Sequence, residues 1–369
     1  METKVVVIDK TNIRDEELLE AAKILRRGGL VAFPTETVYG LGANALDEEA
    51  AKKIYAAKGR PSDNPLIAHI AEYQELEGLV AGIPGAAGRL MKAYWPGPLT
   101  IIFAKSSKVP YGTTGGLDTV AVRMPDDPVA RRLIRLAGVP VAAPSANTSG
   151  KPSPTTAAHV YQDMNGRIDM ILDGGPVGIG VESTIVDVTG ETPALLRPGA
   201  ITTEMLRETL GQVEIDPAIA GPVGDNVKPK APGMKYRHYA PKAELVLVEA
   251  EAAKDKTAGG ETGEKPAGVS PEVIQTICRK ALEDMAEGME VGIICTDETR
   301  DRYPEHARVR SLGLRHREET IARNLFGVLR EFDDLSVDRI YSESFSEEHL
   351  GRAIMNRLTK AAGYHVLKV

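Results

Sequence analysis

Lys58-Gly59-Arg60-Pro61-Ser62-Asp63-Asn64-Pro65-Leu66-Ile67-Ala68-His69 decides the class of fold, because a helix ends and an apolar strand begins inside it. Upstream, residues 51–57 read as a helix with Ile54 and Ala57 facing the core and Lys52 and Lys53 facing water. Gly59 can adopt the left-handed conformation that stops a helix, and Pro61 and Pro65 bias their predecessors toward extended backbone. Lys58 and Arg60 are therefore expected on an ordered turn. An ammonium beside a guanidinium suits a polyanion such as a triphosphate, although a lone Lys-Gly-Arg turn is equally at home on a solvated surface.

Working outward, the helix-to-strand alternation repeats. Residues 15–27 form an amphipathic helix with Leu18, Ala22 and Leu25 on one stripe, stopped by Gly28-Gly29. Residues 30–33 make a short buried strand, and 34–40 leave it as a loop. Further strands are expected at 66–71, 99–104, 119–124, 139–143, 170–172 and 184–188, with helices at 86–94, 128–137 and 156–163. Some strand connections are too short for right-handed crossovers, so the sheet should be mixed. Across 211–242 the periodicity stops and prolines recur, as in a semi-rigid linker. A second pattern follows, with strands at 244–248, 291–295, 307–311 and 339–342 and helices at 272–286, 318–332 and 348–361; it predicts a small parallel sheet. Residues 251–270 read as a surface loop. The expected division is thus 1–210, a linker 211–242, and 243–369.

Composition narrows the function. The chain has 369 residues, 45 Lys+Arg, 52 Asp+Glu and a net charge of −7, and neither half is basic. That balance disfavours binding to long nucleic acid through counterion release. No apolar run approaches membrane-spanning length, no secretory signal opens the chain, and two cysteines are too few for a disulfide framework. A cytoplasmic protein is expected. The sequence has no P-loop and no complete dinucleotide fingerprint, nor any metal-ligand spacing, so a nucleotide must be held by another device.

Strand ends supply candidates. Thr119, Ala121 and Arg123 share one face of their strand, and Arg123 could floor a pocket or snorkel to the surface. His69 is either a structural histidine or part of a site. Residues 139–150 open from a buried strand into Pro144-Ser145-Ala146-Asn147-Thr148-Ser149-Gly150, a small-residue loop that lets a ligand approach the backbone. Glu182-Ser183-Thr184 and Leu196-Arg197-Pro198-Gly199 repeat the theme of polar groups where a strand meets a turn. Five such junctions suggest one concave site.

With these residues in view, the chain resembles the YrdC/Sua-type threonylcarbamoyl-AMP synthases in their two-domain form. Matching elements are Pro34-Thr35-Glu36-Thr37-Val38-Tyr39-Gly40-Leu41, Lys58-x-Arg60-Pro61 with Asn64-Pro65-Leu66 and His69, Ser145-x-Asn147, Glu182-Ser183-Thr184 and Arg197-Pro198-Gly199. So are Pro232-Gly233-Met234-x-Tyr236-x-His238-Tyr239-x-Pro241 and Gly351-Arg352-Ala353-Ile354-Met355-Asn356-Arg357-Leu358. The resemblance implies a twisted mixed sheet around a positively charged cavity, followed by a smaller Rossmann-like parallel α/β domain. It also implies a nucleotidyltransferase that converts L-threonine, bicarbonate or CO2, and ATP into threonylcarbamoyl-adenylate and pyrophosphate. The product would serve N6-threonylcarbamoyladenosine formation at position 37 of tRNAs, through a separate transferase complex.

By the same resemblance Thr37, His69, Arg123, Ala143 and Ser183 would frame threonine. Lys58, Arg60, Asn64, Thr119, Ser145, Asn147, Ser153, Arg197 and Tyr236 would bind ATP, with Lys58 and Arg60 catalytic. Magnesium would come with the triphosphate, mostly through phosphate oxygens and water, without a dedicated protein cage.

Overall fold

The computed structural model describes residues 2–219, 221, 229–234, 238–251 and 268–369. The chain forms two compact units, Met1–His238 and Tyr239–Val369.

The first unit holds strands β1 (Lys4–Val7), β2 (Val31–Phe33), β3 (Gly40–Asn44), β4 (Ile67–His69), β5 (Leu99–Ala104), β6 (Thr119–Arg123), β7 (Val141–Ala142), β8 (Met170–Asp173), β9 (Thr184–Asp187), β10 (Ala194–Arg197) and β11 (Glu214–Ile215). They make one sheet in the order β1-β8-β2-β3-β7-β4-β6-β5-β9-β10-β11. Its pairs are of both kinds: β4 runs parallel to β6 and β5 to β9, whereas β4/β7, β5/β6 and β9/β10 are antiparallel. The expected mixed sheet is what the chain builds. Helix Asp15–Arg26 packs Leu18, Ala21, Ala22 and Leu25 into a core with Phe33, Leu133, Ile134 and Leu172. The larger core, on the side of helix Glu48–Lys58, gathers Tyr39, Leu41, Ile54, Leu66, Ile70, Ile101, Phe103 and Val122.

Helix Glu48–Lys58 starts three residues before the expected 51, because the Asp47 side chain accepts hydrogen bonds from the Glu49 and Ala50 amides. It ends where expected, on Gly59 at φ 62°. The first unit adds elements that were not expected, among them β1, β10 and the helices Tyr111–Thr114 and Thr203–Leu210, and two further differences bear on the frame of the site. The loop expected from 34 to 40 gives way to a strand at Gly40, which the glycines of Gly40-Leu41-Gly42 disguise. They are glycines for contact reasons: a Cβ on Gly42 would stand 2.7 Å from Phe33 and 2.8 Å from Val141. Within the expected linker, Glu214–Ile215 pairs with β10 and Pro217–Ile219 forms a short 3-10 turn. The first unit therefore extends past residue 210.

In the second unit β12 (Glu244–Glu249), β13 (Val291–Cys295), β14 (Arg308–Ser311), β15 (Arg339–Glu343) and β16 (Val366–Lys368) form a sheet in the order β14-β13-β15-β12-β16. Every pair is parallel. Helices Pro271–Ala286, Glu318–Asp334 and Gly351–Ala361 follow strands, as a parallel sheet requires. The Rossmann-like expectation holds, with β16 as an extra edge strand.

Candidate active site

Register along the central strands places the first polar cluster. His69 pairs with Arg123 across β4/β6, and Arg123 pairs with Thr100 across β6/β5. Residues directly opposite share a face, so imidazole, guanidinium and hydroxyl stand in one row. The Thr100 hydroxyl lies 2.8 Å from the Ser183 hydroxyl. Arg197, at the end of β10, donates from Nη2 to Ser183 Oγ at 3.1 Å and from Nε to the Ser183 carbonyl at 2.9 Å. On the other side, Arg123 Nη1 donates to Thr37 Oγ1 at 2.9 Å, and its Nε donates to the Gly97 carbonyl at 3.3 Å. Its remaining nitrogen, Nη2, is 2.6 Å from Glu36 Oε1 as an ion pair.

The loop carrying Glu36 and Thr37 is fixed by its backbone. Thr35 Oγ1 accepts from the Thr37 and Val38 amides and donates to the Val38 carbonyl. The carbonyls of Glu36 and Thr37 accept from Ile179 and Gly180. Gly40 bridges to Ser145, and the Ala143 amide donates to Ile67. Thus Thr37, His69, Arg123, Ala143 and Ser183, the residues expected to frame threonine, come together. Thr100 joins them unforeseen; the alternation in Leu99-Thr100-Ile101 could have placed it on the Arg123 face.

A second cluster adjoins the first. Lys58 Nζ donates to the Ser145 and Asn147 carbonyls. Ser145 Oγ donates to Asn147 Oδ1 at 2.6 Å, while the Asn147 amide nitrogen donates to the Thr148 and Lys151 carbonyls. Ser153 donates to the Glu182 carboxylate, the residue next to Ser183. Arg60 folds back on its own turn, donating to the Asn64 and Pro65 carbonyls at 3.2 and 3.0 Å. Among the described residues the buried Asn64 side-chain oxygen has no hydrogen-bond partner. It is an acceptor awaiting a donor.

Four cations are withdrawn from water here: Lys58, Arg60, Arg123 and Arg197 are only 3%, 8%, 4% and 6% exposed. The solvated-surface alternative for Lys58 and Arg60, and the snorkelling alternative for Arg123, are both excluded. Thr119 is half-buried at the opposite end of β6 from Arg123, four residues or roughly 13 Å away. Arg60 and Asn64 precede β4 just as Thr119 opens β6. The polar groups therefore run the length of these two strands, enough for an extended ligand.

Burial sets the state of His69. It is 3% exposed, its Nδ1 lies 3.0 Å from the Ile67 carbonyl, and its ring meets Phe33 edge-on. Desolvation, reinforced by the Arg123 charge, pushes its pKa down to about 3. The imidazole is neutral at physiological pH and is not poised as a general base.

Part of the Pro-rich segment packs against these same strands. Ala231 and Met234 are buried with Ile67, Ile102, Ala121, Ile185 and Leu196, and Arg197 Nη1 donates to the Pro232 carbonyl at 3.4 Å. Tyr236 lies outside the described residues.

The family model described as "Telomere recombination" matches residues 23–199, and that described as "Threonylcarbamoyl-AMP synthase, C-terminal domain" matches residues 201–363. The chain is similar to a threonylcarbamoyl-AMP synthase of Pyrococcus abyssi, at 48% identity over 99% of each chain. It matches one of Bacillus subtilis at 48% identity over 100% of each. The crystal structure of P. abyssi Sua5 complexed with L-threonine superposes over 100% of both chains with a TM-score of 0.89 and 47% identity. Two matched domains in the right order, full-length identity near one half and a shared fold make the chain a member of the two-domain threonylcarbamoyl-AMP synthase family.

Proposed function

We propose that this enzyme is a nucleotidyltransferase that joins L-threonine, bicarbonate or CO2, and ATP into L-threonylcarbamoyladenylate, releasing pyrophosphate. The observation that carries the reading is the continuous polar row Thr37–Arg123–Thr100–Ser183–Arg197, bordered by Lys58 and Arg60, in a chain akin to threonylcarbamoyl-AMP synthases throughout its length.

Two bonds must form. Threonine's free amine attacks the carbon of CO2, releasing a proton, or of bicarbonate, expelling its hydroxyl with the amine proton as water; an oxygen of the resulting carbamate then attacks the α-phosphate in line with departing pyrophosphate. Neither step needs a covalent enzyme intermediate, so the protein's task is to position the reactants and neutralise phosphate charge. Arg123 takes the threonine carboxylate, with Thr37 and Ser183 bonding its polar groups and Ala143 and neutral His69 shaping the pocket. Lys58, Arg60 and Arg197 face the phosphates. Asn64, Thr119, Ser145, Asn147 and Ser153 serve the remaining hydrogen bonds to ATP, and Tyr236, outside the described residues, is assigned to ATP as well. Lys58 and Arg60 are the catalytic pair, because charge on the triphosphate grows as pyrophosphate leaves.

Among the described residues no group of three or more His, Cys, Asp or Glu side chains could hold a metal ion. Magnesium is proposed to arrive with ATP, held by phosphates and water. No helix among the described residues is long and apolar enough to cross a membrane, and a cytoplasmic setting is proposed. There the adenylate passes to a tRNA threonylcarbamoyl transferase complex by transient contact, without stable nucleic-acid binding. Pyrophosphate release, measured with threonine and bicarbonate omitted in turn, tests the reading. Release should require both; release needing neither defeats it.

A further inference from the structure

Among the described residues, Glu36 is the charged side chain paired with Arg123, and the reaction has given it no task. Its side chain is 16% exposed, yet both carboxylate oxygens are buried, and among the described residues neither accepts a hydrogen bond. Arg123 Nη2 is also buried without a hydrogen-bond partner. The two groups stand 2.6 Å apart as an ion pair, but misaligned, so that Coulomb attraction holds them while directional bonding stays unused. Arg123 is tied at Nε and Nη1, and the Glu36 backbone is pinned through Ile179.

A buried charge without hydrogen bonds is costly, and the vacancies here differ in kind. One guanidinium nitrogen lacks an acceptor; two carboxylate oxygens lack donors. A zwitterionic α-amino acid supplies both within one small molecule, its carboxylate as acceptor and its ammonium as a triple donor. Thr37, between them, is already a ligand of Arg123.

We propose that Glu36 is the ammonium-binding carboxylate of the amino-acid site, holding the threonine nitrogen beside the carboxylate that Arg123 holds. This rests on the reading of the Arg123 pocket as the threonine site. Glu36 thereby selects α-amino acids over hydroxy acids of the same shape, and fixes the nitrogen that, once it has given a proton to bicarbonate to leave CO2 and water, attacks as the free amine.

Binding of L-threonine and of 2,3-dihydroxybutanoate, which replaces the ammonium by a hydroxyl, separates the possibilities in calorimetry on the full chain. The wild-type protein should bind threonine and discriminate against the hydroxy acid. Glu36→Gln should lose threonine affinity by about tenfold or more, the worth of one charged hydrogen bond, while its affinity for the hydroxy acid stays equal or rises. Glu36→Asp should recover part of the threonine affinity, and ATP binding with an unchanged melting temperature should verify the fold of each variant. Unchanged or tighter threonine binding by Glu36→Gln overturns the assignment, as does equal loss of both ligands. Failure of the wild-type protein to bind threonine refutes instead the underlying reading of the pocket.

Discussion

His69 illustrates how burial decides chemistry at a single residue. With its pKa pushed to about 3 from an ordinary 6.5, the folded chain refuses a proton that the unfolded chain accepts between those values. The stabilisation from a neutral His69 is thus complete above about pH 6.5 and falls as pH drops toward 3. We expect His69→Asn to flatten the dependence of the urea midpoint on pH in that window. In NMR the wild-type imidazole should show no titration near neutrality; a midpoint close to 6.5 would contradict its burial. Lys58 makes a different prediction. Its ammonium joins the Ser145 and Asn147 carbonyls, so Lys58→Ala should cost stability of about 1–3 kcal/mol besides lowering pyrophosphate release by about a hundredfold or more. Near-normal release by this variant, and by Arg60→Ala, would remove both from the catalytic role.

The elements that hold these residues depend on close backbone approach at the strand ends. A Cβ on Gly199 would lie 2.5 Å from the Thr184 amide nitrogen and 2.9 Å from the Glu182 carbonyl, against the segment that presents Ser183. Gly199→Ala should therefore destabilise by about 1–3 kcal/mol and weaken threonine binding. Gly138, with φ +65° and open space around its missing Cβ, offers the contrast: Gly138→Ala should cost stability by backbone strain alone and leave binding intact. Equal effects of the two on threonine affinity would show that the Gly199 contact does not shape the pocket. Strands such as Leu99–Ala104 and Val291–Cys295 were legible because β-branched and apolar residues run through them between turn signals. Gly40–Asn44 was not, since its glycines answer to Phe33 and Val141, partners invisible in a local window. Glu214–Ile215 is a two-residue edge strand created by pairing with β10 rather than by its own pattern.

For the whole molecule, the motifs of the site were legible one at a time, and their order along the chain pointed to a family. Their contacts were not. Arg123 reaches Thr37 across 86 residues and Thr100 meets Ser183 across 83, distances over which only the register of the sheet brings side chains together. Glu36 was legible only as a member of the motif from Pro34 to Leu41; its meaning comes from the guanidinium it pairs with. Every residue assigned to threonine lies in the first unit, which has its own cores. A fragment of residues 1–238 should accordingly melt cooperatively and bind threonine within a few-fold of the full chain. A fragment that is folded but blind to threonine would move part of the pocket to the second unit.

The central claim is that one row of strand-end residues holds an amino acid and a nucleotide so that carbon from bicarbonate is built between them. Incubation with carbon-13-labelled bicarbonate, ATP and threonine, followed by mass spectrometry, tests it directly. The account predicts a threonylcarbamoyl-adenylate carrying the label in its carbamoyl carbon, formed in step with pyrophosphate; pyrophosphate accumulating without any labelled adenylate, even on rapid quenching, would contradict it.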